Sequence, residues 1–163
     1  MKISQKLIDA INTQINKELY SSYLYLSMAA YFENKNLSGF AKWMFVQAKE
    51  ENEHAMKFFQ YLCERGAKVE LKPIEGPTTD WASPLNVFED VYAHEKKVSE
   101  MIINLLELAK SEKDYATENF LQWFVKEQVE EEANASVIVE KLKLVKEDVG
   151  ALFIIDKELG SRE

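Results

Sequence analysis

The chain has 163 residues, 47% of them hydrophobic, with only five glycines and three prolines. That is enough for one domain with a real core, built from long helices with few breakers. Lys and Arg total 20 against 28 Asp and Glu, a net charge of −8, which argues against nucleic acid or an anionic membrane surface and favours cations as partners. The one cysteine, Cys63, excludes an intrachain disulfide framework and any Cys-x-x-Cys metal knuckle. No apolar run approaches the ~18 residues of a membrane span. The opening Met-Lys-Ile-Ser-Gln-Lys lacks the apolar stretch of a signal peptide, so a cytoplasmic protein is expected.

A first helix is expected from a Ser4 cap to about Asn34. Its inward stripe reads Leu7, Ile11, Ile15, Glu18, Ser22, Tyr25, Leu26 and Ala29, with one acid near the midpoint. Asn34 to Leu37 is a short turn, so the second helix, capped by Ser38 and ending near Gly66, folds back antiparallel. Its stripe is Phe40, Trp43, Gln47, Glu51, His54, Phe58 and Leu62, which puts an acid and an imidazole where leucine belongs. Residues 66–83 show no period and gather the turn formers. A helix of about 28 residues is ~42 Å long, and this segment, extended, reaches up to ~60 Å. It is therefore expected to cross over along the whole bundle.

Ser83 caps a third helix with Pro84 at its first position. Its stripe runs Phe88, Val91, Glu95, Val98, Ile102, Leu105 and Ala109, again with one acid. A fourth helix, from about Asp114 to Lys146, turns Phe120, Leu121, Phe124, Gln128, Glu131, Ala135, Ile138 and Leu142 inward. Ala151 to Ile155 form the apolar part of a short helix over about 148–159, expected to be buried between subunits. The expectation is an all-α fold: a four-helix bundle over about 4–146, a long crossover between helices 2 and 3, and a short fifth helix, in a single domain of residues 1–163.

The polar interruptions repeat. Glu18 and Glu51 are 33 apart, as are Glu95 and Gln128; a shift of 77 carries the first pair onto the second, His54 onto Glu131, Glu50 onto Glu127 and Glu53 onto Glu130. Each inward polar residue lies near the centre of its helix, so all fall in one layer. Four carboxylates (Glu18, Glu51, Glu95, Glu131), one imidazole and one amide then converge mid-bundle. A lone inward Glu or His is usually structural, but four helices contributing at one level are not explained that way. Hydrogen bonds alone do not satisfy four mutually repelling carboxylates in a dry layer, whereas bound cations do. This donor set disfavours structural zinc, and Mg²⁺ or Ca²⁺ would not select an inward histidine. Iron or manganese suits it best.

One Glu from each of two helices with Glu-x-x-His from others is the carboxylate pattern of ferritin-like bundles. On Glu18, the EENEH stretch at 50–54, Glu95 and the EQVEE stretch at 127–131, the chain resembles the non-haem ferritins of bacteria and archaea. The resemblance covers nearly the whole length. It implies a ferritin-like four-helix bundle that stores iron and oxidises Fe²⁺ with O₂ at a di-iron centre inside each subunit. Glu18, Glu51 and His54 would hold the first iron; Glu51 would bridge to a second, completed by Glu95 and Glu131 with Gln128 close by. Glu50, Glu127 and Glu130 match a third iron site, and Tyr25 a tyrosine beside the centre. The resemblance also implies a hollow homo-oligomeric shell of 24 subunits, ferric oxy-hydroxide deposited inside, and Glu118 at a three-fold entry pore. No haem is expected, because Asn52 stands where bacterioferritins carry a haem-binding methionine. Gln128-x-x-Glu131 stands where that group carries a second Glu-x-x-His, so with the second imidazole absent the second iron is expected to be held less firmly.

Three other readings compete. A rubrerythrin-type peroxidase would carry a Cys-rich module and a fuller fourth-helix ligand set. A DNA-protecting mini-ferritin would keep its iron between subunits. A purely structural bundle leaves the carboxylate repulsion unanswered. Trp123 is a candidate for electron transfer as much as for packing, Tyr20, Tyr31 and Trp81 for subunit contacts or for covering the crossover, and His94 for an exposed or interface position.

Overall fold

Helix capping explains most of the observed boundaries. The computed structural model describes all residues from Met1 to Glu163 and contains five helices and no strand. They are α1 (Gln5–Asn34), α2 (Ser38–Glu64), α3 (Pro84–Ser111), α4 (Tyr115–Val145) and α5 (Val149–Leu159). Ser4 Oγ accepts from Leu7 N, Ser83 Oγ from Asn86 N, Asp114 Oδ1 from Thr117 N and Asp148 Oδ1 from Ala151 N. Each satisfies an amide that the helix itself leaves unpaired.

The second helix departs from this pattern. Ser38 is its first helical residue and not its cap; Leu37 precedes it and offers no side-chain bond. Instead Asp156 Oδ1, on α5, accepts from Phe40 N at 2.9 Å. A carboxylate there also faces the positive end of the α2 dipole. The approach is possible because position 39 is glycine: a Cβ on Gly39 would lie 1.7 Å from the Asp156 carbonyl oxygen.

The crossover lies along α1. Asn12 Nδ2 donates to Lys68 O at 3.0 Å while its Oδ1 accepts from Glu70 N at 2.8 Å. Further along, Asn16 Nδ2 donates to Pro73 O, Ser27 Oγ donates to Thr78 O, and Tyr31 meets Trp81 edge-on. The segment therefore climbs beside α1 from its second turn to its last, so α3 runs parallel to α2 and antiparallel to α1 and α4. Tyr31 and Trp81 cover this crossover, and Asn12 is a buried polar residue because it satisfies two backbone groups of the strap.

Two apolar clusters fill the bundle, one above and one below its middle. The larger contains Phe32, Phe40, Phe88 and the α5 residues Ile155 and Leu159; the smaller contains Ile11, Phe58, Leu105, Leu121 and Phe124. Each large side chain so buried is worth about 1.5–3 kcal/mol, which offsets a costly layer between the clusters. Two expectations need correcting here. Leu26 is exposed and Ser22 half-buried, because the buried arc of α1 turns through Leu24, Tyr25 and Met28. In α5, Ile155 and Leu159 pack on the subunit's own core, while of its apolar side chains Val149, Phe153 and Ile154 are exposed in the single subunit.

Candidate metal centre

The layer between the clusters holds the six polar residues that interrupt the apolar stripes of the four long helices. Glu18, Glu51 and Glu95 are each 1% exposed, His54 5%, Gln128 6% and Glu131 7%. Their common level follows from the up-down-down-up course of the helices: Glu18 and Glu51 lie equally far from the end of the bundle where α1 begins and α2 ends. Phe58 and Phe124 stack beneath, with centroids 4.1 Å apart, and shut that side to water.

Glu18, Glu51 and His54 each present a ligand atom within 4.8 Å of the others. His54 Nδ1 is 3.4 Å from Glu51 Oε2 and 4.0 Å from Glu18 Oε2. Those two oxygens are buried and receive no hydrogen bond, a rare state for polar atoms in a protein interior. The other oxygen of each carboxylate is cared for: Gln14 Nε2 donates to Glu18 Oε1 at 2.7 Å, and Gln47 Nε2 faces Glu51 Oε1 at 3.4 Å. Each pair thus has one oxygen held and one left open towards the centre.

On the other side, Tyr25 donates its hydroxyl to Glu95 Oε1 through a short bond. Gln128 Nε2 lies 3.1 Å from Glu95 Oε2 and 3.2 Å from both Glu95 O and Ser99 Oγ. Gln47 Nε2 also donates to Glu131 Oε2 at 2.8 Å. Electrostatics reflects the crowding. Burial first, then the neighbouring Glu51 carboxylate, lifts Glu18 well above the usual carboxylate range, and burial followed by Glu95 does the same to Glu51. Glu95 is raised by burial against the opposing pull of Tyr25 and Gln128, and Glu131 is raised to about 7 by burial and Glu95. Burial and Glu95 push the Tyr25 phenol well up, keeping it a donor. Without a positive guest the layer holds protons; with one it can release them.

Beside the layer opens a cleft of about 350 Å³ lined by Glu50, Glu53, Glu127 and Glu130 together with His54 and Glu131. The three residues expected to form a third site therefore share one wall. Two details go beyond that expectation. Glu127 groups with His54 and Glu131 within 4.8 Å, so the imidazole lies between the inner and outer acids. Glu50 is ion-paired with Arg162 at 2.6 Å. Trp123 stands at the mouth, edge-on to His54 at 5.4 Å and beneath the Lys57 ammonium. Glu118 is half-buried in the first turn of α4, away from this cleft.

Sequence reasoning left Gln14, Gln47, Ser99 and Arg162 without a role. The two glutamines had a readable signal: each precedes its glutamate by four residues, and they are themselves separated by the same 33 positions as Glu18 and Glu51. Nothing in the local sequence marks Ser99 or Arg162. His94, expected at an exposed or interface position, is half-buried within the subunit: it is hydrogen-bonded to Ser21 Oγ at 2.7 Å, edge-on to Tyr25, and its pKa is lowered to about 4 by burial and Lys97.

A long-crossover bundle closed around such a layer of carboxylates, imidazole and amides defines the ferritin-like class. The family model for the ferritin-like domain matches residues 8–145. The bacterial non-heme ferritin of Bacteroides fragilis (strain 638R) is 49% identical over 98% of this chain and 99% of its own. That of Staphylococcus aureus (strain MRSA252) is 40% identical over 98% and 96%. Among solved structures, the open pore ferritin of the archaeon Archaeoglobus fulgidus superposes with a TM-score of 0.99 at 56% identity, covering 99% of this chain and 100% of that one. The chain belongs to the ferritin family, in its non-haem prokaryotic branch.

Proposed function

We propose that this protein stores iron, oxidising Fe(II) with O₂ in the buried layer and depositing ferric oxy-hydroxide inside a hollow shell of its own copies. The observation that carries the reading is the pair of donorless oxygens, Glu18 Oε2 and Glu51 Oε2, facing the His54 imidazole in a closed interior. A carboxylate-rich set with one imidazole fits iron, and the raised carboxyl pKa values mean that an entering cation displaces protons rather than adding to a filled site.

Iron is the substrate. Glu18, Glu51 and His54 are the proposed holders of one Fe(II), and Glu51, Glu95 and Glu131 of another, with Gln128 steering Glu95 through its amide. Two Fe(II) each release one electron; O₂ takes up both, with two protons, and leaves as hydrogen peroxide. The ferric product hydrolyses to oxy-hydroxide and sheds protons. Clustered anions attract Fe(III) more strongly than Fe(II), which favours oxidation. Tyr25 holds Glu95 in place through its hydroxyl and so sets a phenol beside the centre. Glu50, Glu127 and Glu130 are the proposed outer iron site, through which ions pass between cleft and layer. The finer parts of the same reading are a shell of 24 subunits, one functional domain over the whole chain, and work in the cytoplasm.

The test is aerobic addition of Fe(II) to wild type, Glu51→Ala and His54→Ala, following ferric absorbance and particle size on a sizing column. The expected result is an intact large particle in all three, with fast oxidation lost in both variants. Fast oxidation surviving in both would sink the assignment.

A further inference from the structure

A single positive side chain of this subunit reaches the acidic layer from outside the bundle. It does so because α5 crosses α2 at glycine on glycine: a Cβ on Gly160 would lie 3.0 Å from the Gly39 Cα. The chain leaving α5 is thereby set down along the next turns of α2. There the Arg162 guanidinium lies 4.5 Å over the Trp43 ring. Its Nη1 donates to Trp43 O at 3.3 Å and Gln47 Oε1 at 2.9 Å, and its Nη2 to Glu50 Oε2 at 2.6 Å. Trp43, Gln47 and Glu50 follow at steps of four and three, so one fork reads one face of α2.

These contacts have two consequences. With its oxygen engaged by Arg162, the Gln47 amide can aim only its NH₂ inward, where it meets Glu131 Oε2 at 2.8 Å and Glu51 Oε1 at 3.4 Å. A flipped amide would point its oxygen at both carboxylates. Glu50, meanwhile, already has a counter-charge, unlike Glu127 and Glu130 across the same cleft. The pair is partly open to water, with side-chain exposures of 21% for Arg162 and 38% for Glu50. Such pairs are weak enough for a divalent ion to compete with, and the Trp43 stack keeps the displaced guanidinium nearby.

We propose that Arg162 is a tethered counter-cation at the mouth of the centre: it orients the Gln47 amide towards Glu51 and Glu131, and it occupies Glu50 until an incoming divalent cation takes that carboxylate over. Arg162 is a positioning residue, acting through Gln47 and Glu50. The inference rests on the function proposed above.

The test uses Zn²⁺, which cannot be oxidised, titrated into the assembled full-length protein by calorimetry. Wild type is expected to bind inner ions tightly and an outer ion more weakly. Arg162→Gln should tighten the outer ion about tenfold, since the competing charge is gone. Arg162→Lys should return the outer affinity towards wild type, because it restores charge without the fork. In a Trp81→Phe/Trp123→Phe background only Trp43 emits, and its emission should shift as the outer ion enters. That shift is read with Arg162 intact, so it stands even where Arg162→Gln fails to assemble. An identical isotherm for wild type and Arg162→Gln, or a Trp43 signal that is flat through the titration, overturns the proposal. Wild type binding no Zn²⁺ at all would instead overturn the proposed function, and this inference with it.

Discussion

Replacing Glu131 by glutamine should stabilise the cation-free protein at alkaline pH. Folding lifts the Glu131 carboxyl from 4.5 to about 7, chiefly through burial and then through Glu95. The sign follows from proton binding. Between those two values the folded chain keeps a proton that the unfolded chain has released, so stability falls as pH rises across the window and stays lowered above it. At about 1.36 kcal/mol per pH unit, the loss above pH 7 is about 3 kcal/mol. Glu131→Gln removes that titration while keeping the shape and an acceptor for Gln47, which bonds Glu131 Oε2 at 2.8 Å. Chelator-treated variant should therefore exceed wild type by about 3 kcal/mol at pH 8, or roughly 6–12 °C in Tm for a chain of this size. Near pH 5 the two should converge, and with saturating Zn²⁺ at pH 8 the order should reverse. Thermal unfolding at both pH values, with and without Zn²⁺, reads all three. A variant no more stable than wild type at pH 8 would refute the reasoning, because the layer would then be electrostatically relaxed without a cation.

The same proton makes cation uptake pH-dependent: below pH 7 the ion that takes Glu131 must displace it, so Zn²⁺ affinity at that position should fall about tenfold per pH unit there, with proton release visible as buffer-dependent calorimetric heat. Tyr25→Phe leaves the buried Glu95 Oε1 without its donor and should lower cation-free stability by about 1–3 kcal/mol in urea unfolding. Gly39→Ala drives a methyl into the Asp156 carbonyl. It should lift α5, remove the α2 cap and cost about 2–4 kcal/mol, with faster hydrogen exchange in α5 than in α1 or α3.

Much of the site was legible because helix geometry ties spacing to direction. Glu18, Glu51, His54, Glu95, Gln128 and Glu131 each interrupt an apolar stripe, and a stripe has only one inside, so all six are buried together. The outer cleft was partly legible: Glu127 and Glu130 sit one position off the main face and do line the adjoining wall. What spacing did not reveal is how the acids are held. The Gln47 amide serves Glu51 on its own helix and Glu131 on another, and which way it points is set by Arg162, 115 residues further along the chain.

Helix ends divide along the same line. Ser4, Ser83, Asp114 and Asp148 cap within three residues of themselves, so the start of α1, α3, α4 and α5 is written locally. For α2 the local choice, Ser38, is not the cap; Asp156, 116 residues away, supplies the acceptor. Sequence alone settled what depends on one helical turn: where helices begin, which face is oily, and at what height the acids interrupt it. Packing settled what depends on which surfaces meet: the glycine crossing that seats α5, the capping of α2 and the guanidinium beside Glu50. Interactions within a turn are encoded by neighbours, whereas those between distant segments exist only once burial of the apolar faces has brought the helices into register.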